Sequence, residues 1–148
     1  MHINILTIFP EVFDALNYGV IGKAKTNKSF SIKLQDIRDY PVNKHGQIDS
    51  KPYGGGEGMV MMAEPLKKSL NNIPKEKLGK VIYLSPQGAL FNNTKAKKLS
   101  KEPSVTFICG RYEGIDQRFI DKYVDEEISI GDFIISGGEI AALCIVDS

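Results

Sequence analysis

The sequence has few residues that could support metal, disulfide or nucleophilic chemistry. It contains no tryptophan, and only two cysteines and two histidines among its 148 residues. His2 lies at the terminus and His45 is the only interior histidine, so neither a zinc-ligand spacing nor a nucleophile with a histidine base can be built. Cys109 and Cys144 both lie inside apolar runs, which predicts buried free thiols.

Segments that would direct the chain to a membrane are also missing. No run approaches the roughly 20 consecutive apolar residues of a membrane span, and the opening MHINILTIFPE lacks the basic region and the cleavage site of a signal peptide. A cytoplasmic protein is therefore expected.

The familiar phosphate-binding loops do not fit either. The glycines of YGGGEGM fail the G-x-G-x-x-G spacing at Met59, and no G-x-x-x-x-G-K-[ST] sequence occurs. A dinucleotide or a nucleoside triphosphate is therefore poorly supported as a ligand.

The charge of the chain is unevenly distributed. Residues 1–101 carry 16 Lys and Arg against 8 Asp and Glu, a formal charge of +8, whereas residues 102–148 carry 3 against 10, a formal charge of −7. This asymmetry favours an ordinary solvated lysine-rich surface, with a face for a polyanion as the alternative.

Apolar and amphipathic segments alternate along the sequence. Strands are predicted at 3–9, 30–37, 80–85, 104–109, 127–130 and 133–135. Helices are predicted at 10–16, 63–73, 92–102, 117–124 and 139–146, with Asn92 or Asn93 as an N-cap. This alternation predicts one α/β domain with a largely parallel sheet. Residues 39–58 form a loop of about 20 residues, a length that usually marks function or disorder.

Three predicted strand ends carry glycine or proline beside polar groups, at 83–88, 109–116 and 129–139. Ligands of parallel α/β sheets bind outside the carboxyl ends of strands, and glycine lets the backbone approach a ligand closely. The three loops together predict a small-molecule site, although each one alone could be an ordinary tight turn.

Three carboxylates near these loops have structural as well as functional interpretations. Glu113 and Asp116 lie close in sequence to Arg111 and Arg118, so ion pairs are the alternative to a catalytic role. Glu139 is predicted to lie near a helix N-terminus, where a carboxylate interacts favourably with the helix dipole.

Four motifs occur in a characteristic order after the opening IFPE. They are PYGGGEGM at 52–59, YLSPQG at 83–88, CGRYEGID at 109–116 and EISIGDFIISGGE at 127–139. Together they resemble the bacterial tRNA (guanine-N1) methyltransferases of the SPOUT class, which modify the guanine 3′ of the anticodon with S-adenosylmethionine. The resemblance implies an α/β fold with a SPOUT-type parallel sheet flanked by helices and a deep trefoil knot in the C-terminal half. Periodicity does not predict such a knot, because threaded chains are nearly absent among proteins.

The resemblance also implies a cofactor site built mostly from backbone groups of three loops. Its residues would be Tyr83, Leu84, Ser85, Pro86, Gly88, Gly110, Arg111, Tyr112, Glu113, Ser129, Ile130, Gly131, Asp132, Phe133, Ile134, Ile135, Gly137 and Gly138. Relatives often carry tyrosine where this chain has Phe133, so a contact through a phenolic hydroxyl is not expected.

Methyl transfer to N1 of guanine requires that the N1 proton be removed. The resemblance implies that the main base is an aspartate beyond Ser148, supplied by the other subunit, with Glu113 as a supporting carboxylate near the guanine or a magnesium ion. No protein metal ligands are assigned. Residues 1–148 are accordingly expected to be the S-adenosylmethionine-binding domain without the linker and the C-terminal tRNA-binding domain, and to be inactive or impaired alone.

The implied partners are tRNA and a second copy of the chain, with no DNA and no membrane. The tRNA contacts would be Lys23, Lys44, His45, Lys51 and Gly54. Ile140, Leu143 and Ile145 would lie either at the dimer interface or in the core. Two alternatives stay open: a SPOUT methyltransferase with another RNA target, and a non-catalytic RNA-binding module with no affinity for S-adenosylmethionine.

Overall fold

The computed structural model describes residues 1–52 and 54–148 of an α/β domain. Its strands are β1 (His2–Thr7), β2 (Ser31–Asp36), β3 (Asp49–Ser50), β4 (Val60–Met61), β5 (Lys80–Leu90), β6 (Ser104–Cys109) and β7 (Glu126–Ser129). Its α-helices are α1 (Gly19–Thr26), α2 (Ala63–Asn71), α3 (Lys75–Leu78), α4 (Asn93–Leu99), α5 (Gln117–Tyr123) and α6 (Gly138–Asp147). Two 3₁₀ helices cover Pro10–Asn17 and Ile37–Asp39.

The main sheet has five strands in the order β2-β1-β6-β5-β7, and every pairing in it is parallel. The predicted parallel α/β fold is therefore confirmed. Parallel sheets require helices on both faces, and their strands are consequently apolar on both sides. The central strand β6 is buried along its whole length, as its sequence SVTFIC predicts.

Two hydrophobic clusters cover the two faces of this sheet. Strand alternation sends Val105 and Phe107 to the cluster that includes α6, whereas Ile108 belongs to the cluster that includes α2 and α5. Phe119 of α5 is fully buried in the second cluster.

Strand β5 continues beyond the predicted end at Ser85 and contains an irregular segment. Leu84 and Ala89 both lie in register with Ile128 of β7, so the four residues between them are looped out of the ladder. A Cβ on Gly88 would lie 2.4 Å from the backbone nitrogen of Ile128, which is why the chain can rejoin β7 here only with glycine. The looped segment, residues 85–88, is a bulge of unusual length.

Other sequence predictions are corrected by the structure. The predicted strand at 133–135 is wrong: these residues form an irregular loop in which Ile134 is 85% exposed. Helices α1 and α3 were not predicted, and the predicted helix at 10–16 is a 3₁₀ helix. The N-cap of α4 is Asn92, whose side chain accepts a hydrogen bond from the Lys95 amide.

The apolar C-terminal helix α6 is only partly covered. Ile145 is buried in the core and Leu143 is half-buried against it, but Ile140 is 50% exposed. Cys109 is buried as predicted, whereas Cys144 is exposed on α6, so the prediction of a buried thiol at 144 is wrong. Both thiols are free. Within the described residues, no helix has the length and apolarity that crossing a membrane requires.

The burial of Phe119 can be tested by truncation. Phe119→Ala leaves a cavity between α5 and the sheet and should lower the free energy of unfolding by about 3–5 kcal/mol. Phe133→Ala removes the same atoms from a side chain that is 57% exposed, and should cost about 0.5 kcal/mol. Denaturant unfolding at one fixed protein concentration measures both. Equal losses would contradict the burial described for these residues.

Candidate active site

A pocket of about 340 Å³ lies beside the looped-out segment of β5 and the carboxyl ends of β6 and β7. The first wall is the looped-out segment of β5, the second is the turn that follows β6, and the third is the loop between β7 and α6. These are the three strand ends that the sequence singles out.

The structure brings most of the predicted cofactor residues together around this pocket. Those that line it are Tyr83, Leu84, Ser85, Pro86, Gly110, Arg111, Tyr112, Glu113, Ser129, Ile130, Phe133, Ile134, Ile135, Gly137 and Gly138. Gly88, Gly131 and Asp132 are not among the lining residues. Gly88 packs on the backbone of β7, the carbonyl of Gly131 accepts a hydrogen bond from the Ser129 hydroxyl, and Asp132 is exposed.

The pocket also has lining residues that the sequence analysis missed. They are Gln87, Gly114, Ile115, Gln117, Ile120, Glu127, Ile128, Ser136 and Ala141. Strand alternation could have identified Glu127, since it shares one face of β7 with the predicted residue Ser129. Gln117 begins α5 directly after the motif CGRYEGID. No feature of the sequence around it indicated that its side chain lines the pocket.

The second and third walls meet through backbone contact. The amide of Gly138 donates to the carbonyl of Gly110 over 3.0 Å. A Cβ on Gly138 would lie 2.7 Å from the Cα of Cys109, so a side chain at this position would push α6 away from β6. Glycine at position 138 therefore lets the start of α6 touch the end of β6.

A buried ion pair joins the same two walls through side chains. Glu139 is fully buried, accepts from the Arg111 Nε over 2.8 Å with one oxygen, and accepts from the Thr7 hydroxyl over 2.8 Å with the other. The Arg111 guanidinium also donates to the Ser136 carbonyl and lies 4.6 Å from the centre of the Phe9 ring. A charge-assisted hydrogen bond of this kind is stronger than a neutral one.

This arrangement refines two sequence interpretations. Glu139 does lie in the first turn of α6, but it is a buried ion-pair partner and more than a residue that favours the helix dipole. Arg111 pairs with Glu139 and not with Glu113. Thr7 is a polar residue at the end of a buried strand. This was the one sequence signal for a buried polar partner such as Glu139.

Asp116 has the structural role that the sequence left open. Its carboxylate caps α5 by accepting from the Arg118 amide, and it also forms an ion pair with the Arg118 guanidinium at 2.6 Å. These interactions with Arg118 hold the pKa of Asp116 below its ordinary value.

Glu113 has a different environment at the rim of the pocket. It follows Tyr112, a non-glycine residue at φ 61°, in a turn closed by the Gly114 amide and the Arg111 carbonyl. Its side chain is exposed, and it forms no ion pair with any described residue. Glu113 is therefore a carboxylate whose charge no residue described in the structure neutralises.

Neither Tyr83 nor Cys109, which lie beneath the pocket, is in its reactive deprotonated form at neutral pH. Burial, and secondly the charge of Glu127, raise the pKa of Tyr83 to about 12. Burial likewise raises the pKa of the Cys109 thiol well above its ordinary value. Both groups stay protonated at neutral pH, so neither offers a nucleophile or a base. Across residues 1–52 and 54–148, no three His, Cys, Asp or Glu side chains form a group that could hold a metal ion.

The predicted RNA-contact residues all lie on the surface. Lys23 is exposed on α1, and Lys44, His45, Lys51 and Gly54 are exposed along the segment between Tyr40 and β4. Tyr53, which belongs to the PYGGGEGM motif, lies outside the described residues.

Removing Glu139 should destabilise the domain. Glu139→Ala leaves Arg111 without its partner beneath the pocket and should lower the free energy of unfolding by about 3–5 kcal/mol. Glu64→Ala is the control, because it deletes the same kind of side chain from the exposed pair with Lys68 and should cost about 0.5 kcal/mol. Chemical denaturation compares the two. A loss for Glu139→Ala no greater than for Glu64→Ala would contradict the structural role of the buried pair.

Comparison with known proteins places the chain in a family. The family model described as tRNA (Guanine-1)-methyltransferase TrmD matches residues 1–148. Proteins named tRNA (guanine-N(1)-)-methyltransferase are similar over the whole chain: 50% identical in Clostridium botulinum (strain Loch Maree), 51% in Clostridium perfringens (strain SM101) and 51% in Clostridium novyi (strain NT). The chain spans 61%, 62% and 61% of the length of these relatives, respectively. By this match over its full length, the chain belongs to the tRNA (guanine-1)-methyltransferase family.

Proposed function

We propose that this chain is the S-adenosylmethionine-binding domain of an enzyme that methylates N1 of the guanine 3′ of the tRNA anticodon. The observation that carries the proposal is the pocket between the looped-out segment of β5 and the ends of β6 and β7, whose second and third walls meet through the hydrogen bond from Gly138 to Gly110. Family membership supports this reaction, and the pocket supports the presence of a small-molecule site.

The residues of the pocket fit this cofactor in size and chemistry. A volume of about 340 Å³ lies within the range of about 300–1,000 Å³ that is usual for small-molecule sites. Leu84, Ile130 and Ile135 offer apolar surface for an adenine ring, while the side chains of Gln117 and Glu127 offer polar groups for hydroxyl or ammonium groups. A Cβ on Gly110 would lie 2.8 Å from the Tyr83 ring and one on Gly137 would lie 2.2 Å from the Arg111 Nε, so glycine at both positions lets these two lining side chains pack where they do.

When bound, S-adenosylmethionine supplies an electrophilic methyl group. The chain's own contribution is to hold that ligand between three preformed walls and to limit the access of water. Glu113, with no ion-pair partner among the described residues, is suited to accept a hydrogen bond from the guanine or to hold a hydrated magnesium ion. Our proposal assigns the main base to an aspartate beyond Ser148, consistent with relatives that are longer than this chain.

The proposal extends to the SPOUT-type knot and to a homodimer. In support of the knot, the chain returns from β7 to press α6 against the end of β6 beside the looped-out part of β5. In support of the homodimer, Ile140 on α6 and Ile134 in the pocket loop leave large apolar side chains exposed. Since the proposed substrate is tRNA, the proposed location is the cytoplasm.

Cofactor binding can be tested by calorimetric titration with S-adenosylhomocysteine. We expect one ligand per chain, and a loss of affinity of at least about tenfold in Gln117→Trp, because an exposed lining residue is enlarged into the pocket. Lys122→Trp is the matched control: it lies on the same helix and is not a lining residue, so its affinity should be unchanged.

A folded chain that binds no S-adenosylhomocysteine would contradict the proposed function. Such a result combined with RNA binding would favour the alternative of a non-catalytic RNA-binding module.

The proposed tRNA surface comprises Lys23, Lys44, His45, Lys51 and Gly54. Its role can be tested by the salt dependence of tRNA binding. Lys44→Ala combined with Lys51→Ala should weaken tRNA binding and reduce the slope of log affinity against log salt by about 1.4–1.8, since each phosphate contact contributes about 0.7–0.9. Lys97→Ala combined with Lys98→Ala removes the same charge from exposed positions on α4 and should leave the slope nearly unchanged. Filter binding over a range of salt concentrations measures both. Equal reductions in slope would indicate binding through net charge and contradict the assigned surface.

A further inference from the structure

The backbone of Glu113 is fastened to the end of the glycine-rich loop. The Glu113 amide donates to the Met59 carbonyl over 2.9 Å, and the Met61 amide donates to the Gly114 carbonyl over 3.0 Å. The Asp116 amide in turn donates to the Met61 carbonyl over 2.9 Å. Residues 59–61 and 113–116 therefore form a short parallel ladder, which fixes the height of Glu113 at the pocket rim.

The side chain of Glu113 lies on the glycine that precedes this ladder. A Cβ on Gly58 would be 2.6 Å from the Glu113 Cγ and 3.1 Å from its Oε1. These distances are too short for a side chain at position 58 while Glu113 keeps this conformation. Glu113 thus occupies the space that only a glycine leaves open.

Gly58 differs in this respect from its neighbours in the loop. Gly54, Gly55 and Gly56 also have positive φ angles, of 93°, 89° and 127°, but a Cβ on any of them would meet no atom of the described residues within 4 Å apart from its chain neighbours. Gly58, at φ 86°, combines the same backbone requirement with contact to Glu113. If positive φ were the only reason for glycine, substitution at any of these four positions would have the same effect. The contact with Glu113 distinguishes Gly58.

We infer that Gly58 is a positioning residue for Glu113: the absence of a side chain at 58 leaves room for the orientation of the carboxylate at the pocket rim, which a Cβ at 58 would exclude. This inference rests on the proposed function for its catalytic meaning, because Glu113 acts in methyl transfer only if that proposal holds. Because Glu113 is exposed, a methyl group at 58 would be accommodated by rotation of the Glu113 side chain. The cost would then appear in the orientation of the carboxylate more than in the stability of the fold.

The orientation can be measured in this chain without any reaction. We expect Gly58→Ala to move the side-chain carboxyl ¹³C resonance of Glu113, identified by its absence in Glu113→Gln. Gly55→Ala imposes the same positive-φ strain on alanine in open space and should leave that resonance in place. A Glu113 resonance that is unchanged by Gly58→Ala, or moved equally by Gly55→Ala, would overturn the inference.

The catalytic consequence is tested by a double-mutant cycle. Residues 1–148 joined to the C-terminal segment of the Clostridium perfringens relative provide the assembly for steady-state methyl transfer to tRNA. Gly58→Ala should lower kcat by about 10- to 100-fold, the size expected for a misplaced catalytic group. In the Glu113→Ala background, the same substitution should change kcat by less than about twofold, because the group that it displaces is gone.

The outcomes separate the inference from the proposed function. If Glu113→Ala leaves kcat unchanged, the proposed role of Glu113 is wrong, and the carboxyl resonance alone decides whether Gly58 orients it. If Glu113→Ala lowers kcat but Gly58→Ala costs as much with Glu113 as without it, Gly58 does not act through Glu113 and the inference is wrong.

Discussion

The fully buried carboxylate of Glu139 is the constraint around which the pocket is built. A buried charge is tolerated only when it is paired and hydrogen-bonded, and Glu139 has both Arg111 and Thr7 as partners. Glu139 and its two partners belong to different parts of the chain: Thr7 ends β1, Arg111 lies in the turn after β6, and Glu139 lies at the start of α6. Satisfying one charge therefore requires that three segments, distant in sequence, come together beneath the pocket.

The glycines at the same place make this convergence sterically possible. Gly138 lets α6 touch β6, and a Cβ on Gly137 would lie 2.2 Å from the Arg111 Nε. The ion pair attracts the two walls, and the missing side chains allow them to approach. Neither feature suffices alone, since a side chain at either glycine would separate groups that the buried charge requires to be in contact.

Sequence reasoning predicted much of this fold where local pattern and tertiary environment agree. The run SVTFIC is buried on both faces as β6, and Asn92 caps α4 because its side chain can replace a missing backbone acceptor. The three strand ends with glycine or proline do converge. These features depend on properties that each segment carries by itself.

Prediction failed where burial depends on what the rest of the chain provides. The residues FII at 133–135 resemble a strand in composition, but they have no neighbouring strand and instead border the pocket. Cys144 lies in an apolar helix on a side that this chain does not cover. The pairing of Glu139 with Thr7 could not be assigned from the sequence, since the two residues are 132 positions apart. The looped-out segment of β5 after Leu84 could not be predicted either, because it depends on β7, which pairs with the residues at both ends of the loop.

The pairing of both Leu84 and Ala89 with Ile128 allows the pocket wall between them to vary in sequence and length. The looped residues 85–88 begin and end at points fixed to the same strand, so the sheet does not depend on the length of chain between them. Insertions or exchanges at residues 85–87, with Gly88 kept, would change the shape of the pocket wall while the register of every strand stays as it is. The bulge is thus a position where a different loop could be inserted to change ligand selectivity without changing the sheet.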